Sequence, residues 1–212
     1  MKKLLTSLLA VATMFTLTAC GGDSNADKPY AGQELHLYNW GEYMGENFIS
    51  GFEDLTGATV VVDYFDSNET MYIKVANGEP YDILVPSDYM IERLIQEDLI
   101  QKLDKDKITC MDELVDAVKG LPYDPNNDYS IPYFWGTVGI VYDKTKVSEA
   151  DLEKEGYNIF LDTKYKGDIY LYDSERDSFM MALKALGYSM NTTKEREINE
   201  AYQWLLEQRE EM

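Results

Sequence analysis

Two aromatic side chains and a carboxylate occur within four residues of this sequence, at Trp40, Glu42 and Tyr43. They follow Leu35 and Leu37, an alternating apolar pattern that predicts a β-strand. Ligands of open α/β sheets bind at the carboxyl ends of the strands. Aromatic faces beside an acid suit a ligand that is both cationic and partly apolar. The alternative is a surface turn whose rings only cover a helix end, and these residues alone leave both interpretations open.

Catalytic combinations of residues are hard to assemble from this sequence. His36 is the only histidine, and its place in the strand pattern favours a buried structural role. A Ser/His/Asp or Cys/His arrangement would need a second candidate base. There is no Gly-rich phosphate loop and no His/Cys cluster for a transition metal. With 39 acidic residues, a chance pair of carboxylates carries no information. We therefore expect no enzyme activity, cofactor or metal, and keep a surface-anchored hydrolase as the weaker alternative.

The composition is strongly acidic, with a formal net charge of −20 and a pI near 4.3. Nucleic-acid binding needs a basic face, so this class of function is excluded. An acidic surface is compatible with a cationic ligand, but it also serves simply to keep an exported protein soluble.

The amino terminus has the pattern of an export signal. Lys2 and Lys3 precede an apolar segment, residues 4–17, that is shorter than the roughly 20 residues of a membrane-spanning helix. The following Leu17-Thr18-Ala19-Cys20 resembles a bacterial lipobox. That resemblance implies cleavage before Cys20, acylation of its thiol and retention at a membrane surface.

The expected mature chain therefore begins at Cys20, after a lipoprotein signal peptide at residues 1–19. Residues 20–32 are small, polar and proline-containing, as in a flexible tether. We expect an extracytoplasmic protein that is lipid-anchored, in the periplasm or on the outer face of the cell membrane. Cys110 is the only other cysteine, so it is free if Cys20 is acylated.

Predicted strands and helices alternate after the tether, which indicates a parallel sheet with crossover helices. The strand containing Leu35 is followed by a buried β-branched strand at 58–63 and a third strand at 81–85. The predicted helices are residues 46–56 before Gly57, a helix capped by Ser67 or Asn68 and ended by Gly78, and a helix capped by Ser87 or Asp88.

The second half of the sequence is less regular. A short helix is predicted at 112–118, strands at 136–142 and 167–172, and a helix at 178–186 before Gly187. Thr192 and Glu195 have the spacing of a capping box that opens a last helix, with Ile198, Ala201 and Leu205 on one face. Two strands are too few to close a second core. We therefore expect this chain to be the amino-terminal part of a longer protein.

Aromatic or hydroxyl residues recur at the carboxyl ends of the predicted strands. If two lobes face each other across a hinge, these residues would line a single cleft. Taken alone, these residues have a simpler role in capping the next helix: Ser87 for the third helix, and Ser174 or Asp177 for the helix that follows them. A capping hydroxyl can still line a cleft. The aromatic and hydroxyl residues are Trp40, Tyr43, Ser87, Tyr89 and Ser174, and the acid Asp177 accompanies the last of them.

Five segments, in this order, carry a resemblance to a known family. They are Tyr38-Asn39-Trp40-Gly41-Glu42-Tyr43, Ser67-Asn68-Glu69-Thr70-Met71-Tyr72, Tyr81-Asp82-Ile83-Leu84-Val85-Pro86-Ser87, Asp124-Pro125-Asn126-Asn127-Asp128-Tyr129-Ser130-Ile131-Pro132-Tyr133 and Leu186-Gly187-Tyr188-Ser189-Met190-Asn191-Thr192-Thr193. The sequence resembles the spermidine/putrescine-binding proteins of bacterial polyamine ABC importers. The resemblance implies a two-lobed periplasmic-binding-protein-like α/β fold, with residues 33–138 as a largely present first lobe and residues 139–212 as an incomplete second lobe. It also implies a monomer that delivers a polyamine to a membrane permease.

By position, the resemblance implies ligand contacts at Trp40, Gly41, Glu42, Tyr43, Ser87, Tyr89, Ser174 and Asp177. Trp40 and Tyr43 would stack along the methylene chain, and Asp177 would hold an ammonium group. Gly41 replaces the hydroxyl residue often found at its position, and Ser174 replaces an acid. The first departure removes any side-chain hydrogen bond at position 41, and the second leaves the preference between spermidine and putrescine open.

The resemblance has one further implication. In the family, more aromatics and another carboxylate come from sequence that would follow Met212, so we expect this polypeptide alone to bind polyamine weakly or not at all. The alternatives are a binding protein for another small solute, an amino acid or a sugar, and a fragment that does not bind.

Overall fold

The computed structural model describes residues 28–171 and 173–211. The predicted signal peptide, Cys20 and most of the predicted tether lie outside these residues. The described chain contains two compact units. One consists of residues 28–35 and 44–61, and the other of residues 36–43 and 62–211.

A three-stranded sheet contains β1 (Glu34–Trp40), β2 (Thr59–Phe65) and β3 (Ile83–Leu84) in the order β2-β1-β3. β1 and β3 run parallel, with Leu37 opposite Ile83 and Tyr38 opposite Leu84. The alternation of strands and helices and the parallel pairing follow the sequence prediction. The third strand has only two residues, which is shorter than the predicted 81–85.

Three helices follow the three strands, as predicted: α1 (Phe48–Thr56), α2 (Asn68–Ala76) and α3 (Asp88–Gln96). α1 ends where Gly57 adopts a left-handed φ of 80°, which glycine accepts without steric cost. α2 is capped by Ser67, whose Oγ accepts a hydrogen bond from the Thr70 N–H. The predicted stop and the predicted cap are therefore confirmed.

The prediction that β2 is buried is wrong. Only Phe65 is buried in this strand, whereas Val61 is 37% exposed and Tyr64 is 56% exposed. β-Branched side chains favour an extended backbone whether or not their face is covered, so a run of valines predicts the strand but not what packs on it.

The second half of the chain is mainly helical, with 3₁₀ turns between the α-helices. The predicted helix at 112–118 is replaced by two 3₁₀ turns, Met111–Glu113 and Asp116–Val118. A helix that the sequence did not predict, α4, spans Glu149–Glu155, and the 3₁₀ segments Gly156–Leu161 and Thr163–Tyr165 follow it. The last two helices are α5 (Glu175–Ala185), before Gly187, and α6 (Glu195–Glu211).

The predicted strands at 136–142 and 167–172 are wrong for the described residues, which form no ladder there. A strand needs a neighbour that exchanges backbone hydrogen bonds with it. Neither segment finds one within residues 28–171 and 173–211. Val141 is fully exposed and Tyr170 is 83% exposed, as expected for unpaired extended chain.

Three clusters of buried side chains stabilise the larger unit. Tyr38, Phe65, Met71, Met90 and Leu94 join the sheet to α2 and α3. The other two clusters are smaller. One lies between α5 and α6 and consists of Ala182, Leu183, Ala201 and Trp204. The other packs against Leu152 of α4 and consists of Ile159, Tyr165 and Ile169.

The start of α6 differs from the predicted capping box. Thr192 Oγ1 donates to Glu197 at 2.6 Å and accepts from the Lys194 N–H at 3.2 Å, so Glu197 takes the place of Glu195. The hydrogen bond from the Thr192 hydroxyl, and then the one that the Lys194 ammonium donates to Glu197 Oε1 at 2.9 Å, lower the pKa of Glu197. None of the helices in the described part of the chain is both long enough and apolar enough to cross a membrane.

Candidate functional site

A cleft of about 860 Å³ opens within the larger unit, beside the carboxyl end of β1 and the amino ends of α2, α3 and α5. Its volume lies in the usual range for small-molecule sites. Six of the eight residues predicted to contact ligand line it: Trp40, Tyr43, Ser87, Tyr89, Ser174 and Asp177. Gly41 and Glu42 are exposed in the turn between the two aromatics and do not line the cleft. Ligand contact at all eight positions stays a prediction.

Trp40 and Tyr43 form an aromatic wall of the cleft. Their ring centroids are 5.8 Å apart with a tilt of 35°. Trp40 also packs on Phe65 at 4.4 Å, so the indole is anchored in the sheet core. Tyr43 is 39% exposed and offers its ring to solvent. The arrangement presents aromatic faces along which an extended apolar chain could lie.

A buried amide organises the polar side of the cleft. Asn68 is the first residue of α2, and its side chain contacts both Ser87 and Tyr89. Ser87 occupies the N-cap position of α3, but its hydroxyl makes no capping hydrogen bond. The expectation that Ser87 acts as a helix-capping side chain is therefore wrong, because its hydroxyl pairs with the asparagine.

Tyr89 is held from two directions. Its hydroxyl donates to Glu69 Oε1 at 2.9 Å and accepts from Asn68 Nδ2 at 3.0 Å. Burial, and then the hydrogen bond to Glu69, raise the pKa of Tyr89 to about 12. The Arg176 guanidinium lies over the same ring, 4.8 Å from its centroid. Tyr89 is thus a neutral phenol whose face already contacts a cation.

Ser174 and Asp177 lie together at the start of α5. Ser174 Oγ accepts from the Asp177 N–H at 3.3 Å, so Ser174 is the N-cap, one of the two capping roles left open by the sequence. The same hydroxyl donates to Asp177 Oδ2 at 2.5 Å. Ser174 therefore supports the carboxylate of Asp177 in addition to lining the cleft.

The lining is rich in carboxylates. Among the described residues, six acids and the single base Arg176 line the cleft, the acids being Asp66, Glu69, Asp88, Glu92, Asp173 and Asp177. Sequence reasoning had singled out only Asp177. Acids in the first turn of a helix are a usable signal, since the helix dipole favours them there, and Glu69, Asp88 and Asp177 occupy such positions. A cleft with this charge and two aromatic faces suits a solute that combines amines with methylene segments.

Comparisons with known proteins agree with this chemistry. A family model described as bacterial extracellular solute-binding protein matches residues 47–211. The spermidine/putrescine-binding periplasmic protein of Escherichia coli K12 is 39% identical over 211 residues, covering 95% of this chain and 56% of the relative.

Two solved structures are similar in fold and sequence. The first is the spermidine/putrescine ABC transporter substrate-binding protein of Streptococcus pneumoniae (TM-score 0.65, 38% identity, 84% of this chain and 55% of that chain). The second is a lipoprotein of Treponema pallidum (TM-score 0.72, 32% identity, 80% of this chain and 53% of that chain). They confirm the predicted periplasmic-binding-protein class of α/β fold. The chain spans about half the length of the proteins it matches.

Proposed function

Since this chain belongs to the family of bacterial extracellular solute-binding proteins, we propose that its cleft binds a polyamine such as spermidine or putrescine for an ABC importer. The observation that carries the proposal is the lining itself, which combines six carboxylates with the faces of Trp40 and Tyr43. The names of the Escherichia coli and Streptococcus pneumoniae relatives support the same class of solute.

The chemistry of a polyamine matches this lining. Each ammonium group must keep a carboxylate or several acceptors when it leaves water, because burying an unpaired charge is prohibitive. We assign Asp177 to one ammonium group, and Ser87, Ser174 and Tyr89 to polar contacts. Trp40 and Tyr43 would stack on the methylenes next to those charges, at about 0.5–2 kcal/mol for each cation–π contact. Gly41 and Glu42 are assigned to the edge of the site.

The lobe assignment belongs to the same proposal. Residues 33–138 would form the first lobe and residues 139–212 part of the second, and the permease of the importer would receive the solute. The relatives are named as binding proteins, which supports a function without catalysis. We propose that the protein acts as a monomer.

The site of action follows from the amino terminus and the relatives. The Escherichia coli relative is named as periplasmic, which supports an extracytoplasmic location for this chain. A lipid anchor on Cys20 is the finer proposal, supported by the lipobox and by the similarity to a Treponema pallidum lipoprotein. Labelling cells with a radioactive fatty acid tests it, because a Cys20→Ala variant should lose the label and leave the membrane fraction.

Calorimetry on the purified protein tests the proposed solute. Spermidine and putrescine should both give saturable binding heats, at the weak affinity expected of this polypeptide alone, whereas a neutral amino acid and a hexose should give none. A monoamine of similar length should bind more weakly than putrescine, because it can pair with only one carboxylate. Binding of the hexose or the amino acid in place of the polyamines would show that the solute class is wrong. The absence of any heat with either polyamine would favour the alternative of a fragment that does not bind.

A further inference from the structure

We propose that Tyr133 is a positioning residue that fixes Tyr43 at the edge of the cleft, an inference that rests on the proposed function for its effect on solute binding. Tyr133 does not line the cleft, whereas Tyr43 does. The Tyr133 hydroxyl donates to the backbone carbonyl oxygen of Tyr43 at 2.5 Å. Any influence of Tyr133 on a solute would therefore pass through Tyr43.

The turn that carries Tyr43 needs such support. Gly41 and Glu42 are exposed, and Tyr43 itself is 39% exposed, so little of this turn is packed. Trp40 contacts the Tyr43 ring from one side. Phe134 contacts it edge-to-face from another direction, with centroids 5.4 Å apart and planes at 70°. Residues 133 and 134 thus hold both the backbone and the ring of Tyr43.

The two supporting residues are themselves held together. Tyr133 stacks on Phe134 with centroids 4.1 Å apart and planes at 27°. This stacking joins the hydrogen bond to the Tyr43 backbone and the contact to its ring into one unit. Aromatic pairs of this kind prefer defined geometries, so the pair restricts where the Tyr43 ring can lie.

The chain before Tyr133 is built around a buried carboxylate. Asp124 is 4% exposed. Its oxygens accept four hydrogen bonds of 2.9 Å, from the N–H groups of Asp128, Tyr129 and Ser130 and from the Ser130 hydroxyl. The network restrains the backbone of the Asp124–Tyr133 segment, one of the five segments that carry the family resemblance. It presents Tyr133 to Tyr43 from a fixed base.

A double-mutant cycle tests whether Tyr133 acts through Tyr43. Tyr133→Phe removes only the hydroxyl, and it should weaken spermidine binding by about threefold to tenfold, as expected for the loss of one hydrogen bond. In a Tyr43→Ala background the same change should have no further effect. Trp135→Phe is the matched control, since Trp135 is an aromatic residue two positions further along the chain and is 74% exposed. Equal weakening in both backgrounds, or none in the wild type, would overturn the inference.

A second measurement is independent of any solute. Backbone NMR order parameters for residues 41–44 should fall in the Tyr133→Phe variant, from the roughly 0.85 of rigid backbone toward the 0.6 of flexible chain. They should stay unchanged in Trp135→Phe. If the wild type bound no polyamine, the proposed function would fail, and this measurement would still decide the positioning role. Unchanged order parameters in the Tyr133→Phe variant would rule that role out.

Discussion

Asn68 holds Ser87 with both ends of its side-chain amide. Asn68 Nδ2 donates to Ser87 Oγ at 3.0 Å, and Asn68 Oδ1 accepts from the Ser87 N–H at 2.9 Å. This paired contact links the start of α2 to the start of α3, across 19 residues of sequence. It satisfies the backbone N–H of Ser87, one of the donors at the amino end of α3 that have no partner within the helix.

We expect Asn68→Ala to lower the free energy of unfolding by about 1–3 kcal/mol, because partners of a buried amide would lose their hydrogen bonds. Asn68 is 5% exposed, so water cannot easily replace it. Urea denaturation followed by circular dichroism measures the change. Asn47→Ala is the matched control, because Asn47 also lies at the start of a helix, as the N-cap of α1, but its side chain makes no capping hydrogen bond. Similar losses in both variants would contradict this account of the contact.

Tyr43→Ala should weaken spermidine binding by about threefold to thirtyfold, the equivalent of one cation–π contact. The melting temperature should change little, because the ring is 39% exposed. Trp40 is a poorer test, since its packing on Phe65 would mix stability with binding. Calorimetry measures the affinity, and Tyr170→Ala, at an 83% exposed tyrosine outside the cleft lining, is the control. An unchanged dissociation constant for Tyr43→Ala would remove this residue from the site.

Stability at alkaline pH should depend on Tyr89. Its pKa of about 12 lies above the ordinary value of 10.0, so the folded protein holds the phenol proton more tightly than the unfolded chain does. The resulting stabilisation is complete below pH 10 and is lost as the pH rises from 10 to 12. Denaturation curves across this range should fall less steeply for Tyr89→Phe than for the wild type. Glu69→Gln should shift the wild-type loss toward lower pH, because it removes the charged acceptor. Parallel curves for the wild type and Tyr89→Phe would refute the prediction.

Alanine should have opposite effects on stability at Gly51, which lies within α1, and at Gly57, which ends it. Gly57 has a φ of 80°, and a Cβ there would lie 2.8 Å from Lys28 Cβ and 3.3 Å from the Ala31 backbone. Gly57→Ala should therefore destabilise the protein by more than about 1 kcal/mol. Gly51 lies inside α1 with open space around the position of a Cβ, so Gly51→Ala should stabilise it by about 0.5–1 kcal/mol. Thermal unfolding measures both, and shifts of the same sign would contradict the prediction.

Local signals predicted the first half of the fold well. Gly57, Ser67 and the alternating apolar residues of β1 act within a few positions of themselves, and the structure uses each of them as expected. The failures lie where a residue depends on distant partners. The segment at 136–142 has the composition of a strand, but pairing requires a neighbour that composition does not reveal.

The candidate site shows the same division. Trp40, Tyr43 and Asp177 could be chosen from the sequence because strand ends and helix starts are local features. Asn68 could not be chosen in this way, since its importance comes from contacts with Ser87 and Tyr89 about 20 residues away. The capping hydrogen bond expected of Ser87 is absent for the same reason. Its hydroxyl accepts from the distant Asn68 amide, and makes no hydrogen bond to the N–H groups of its own helix.

Arg176 gives the cleft a cation of its own. Its guanidinium lies over one face of the Tyr89 ring, 4.8 Å from the ring centre, so an amine that bound this face would have to displace it. Uptake of a polyamine at this ring would then be an exchange of one cation for another. The gain in free energy there would be the difference between two cation–π contacts, which is smaller than the contact of the amine alone. Tyr89 would therefore discriminate among amines by how much more favourable the contact of each amine with its ring is than the contact of the Arg176 guanidinium.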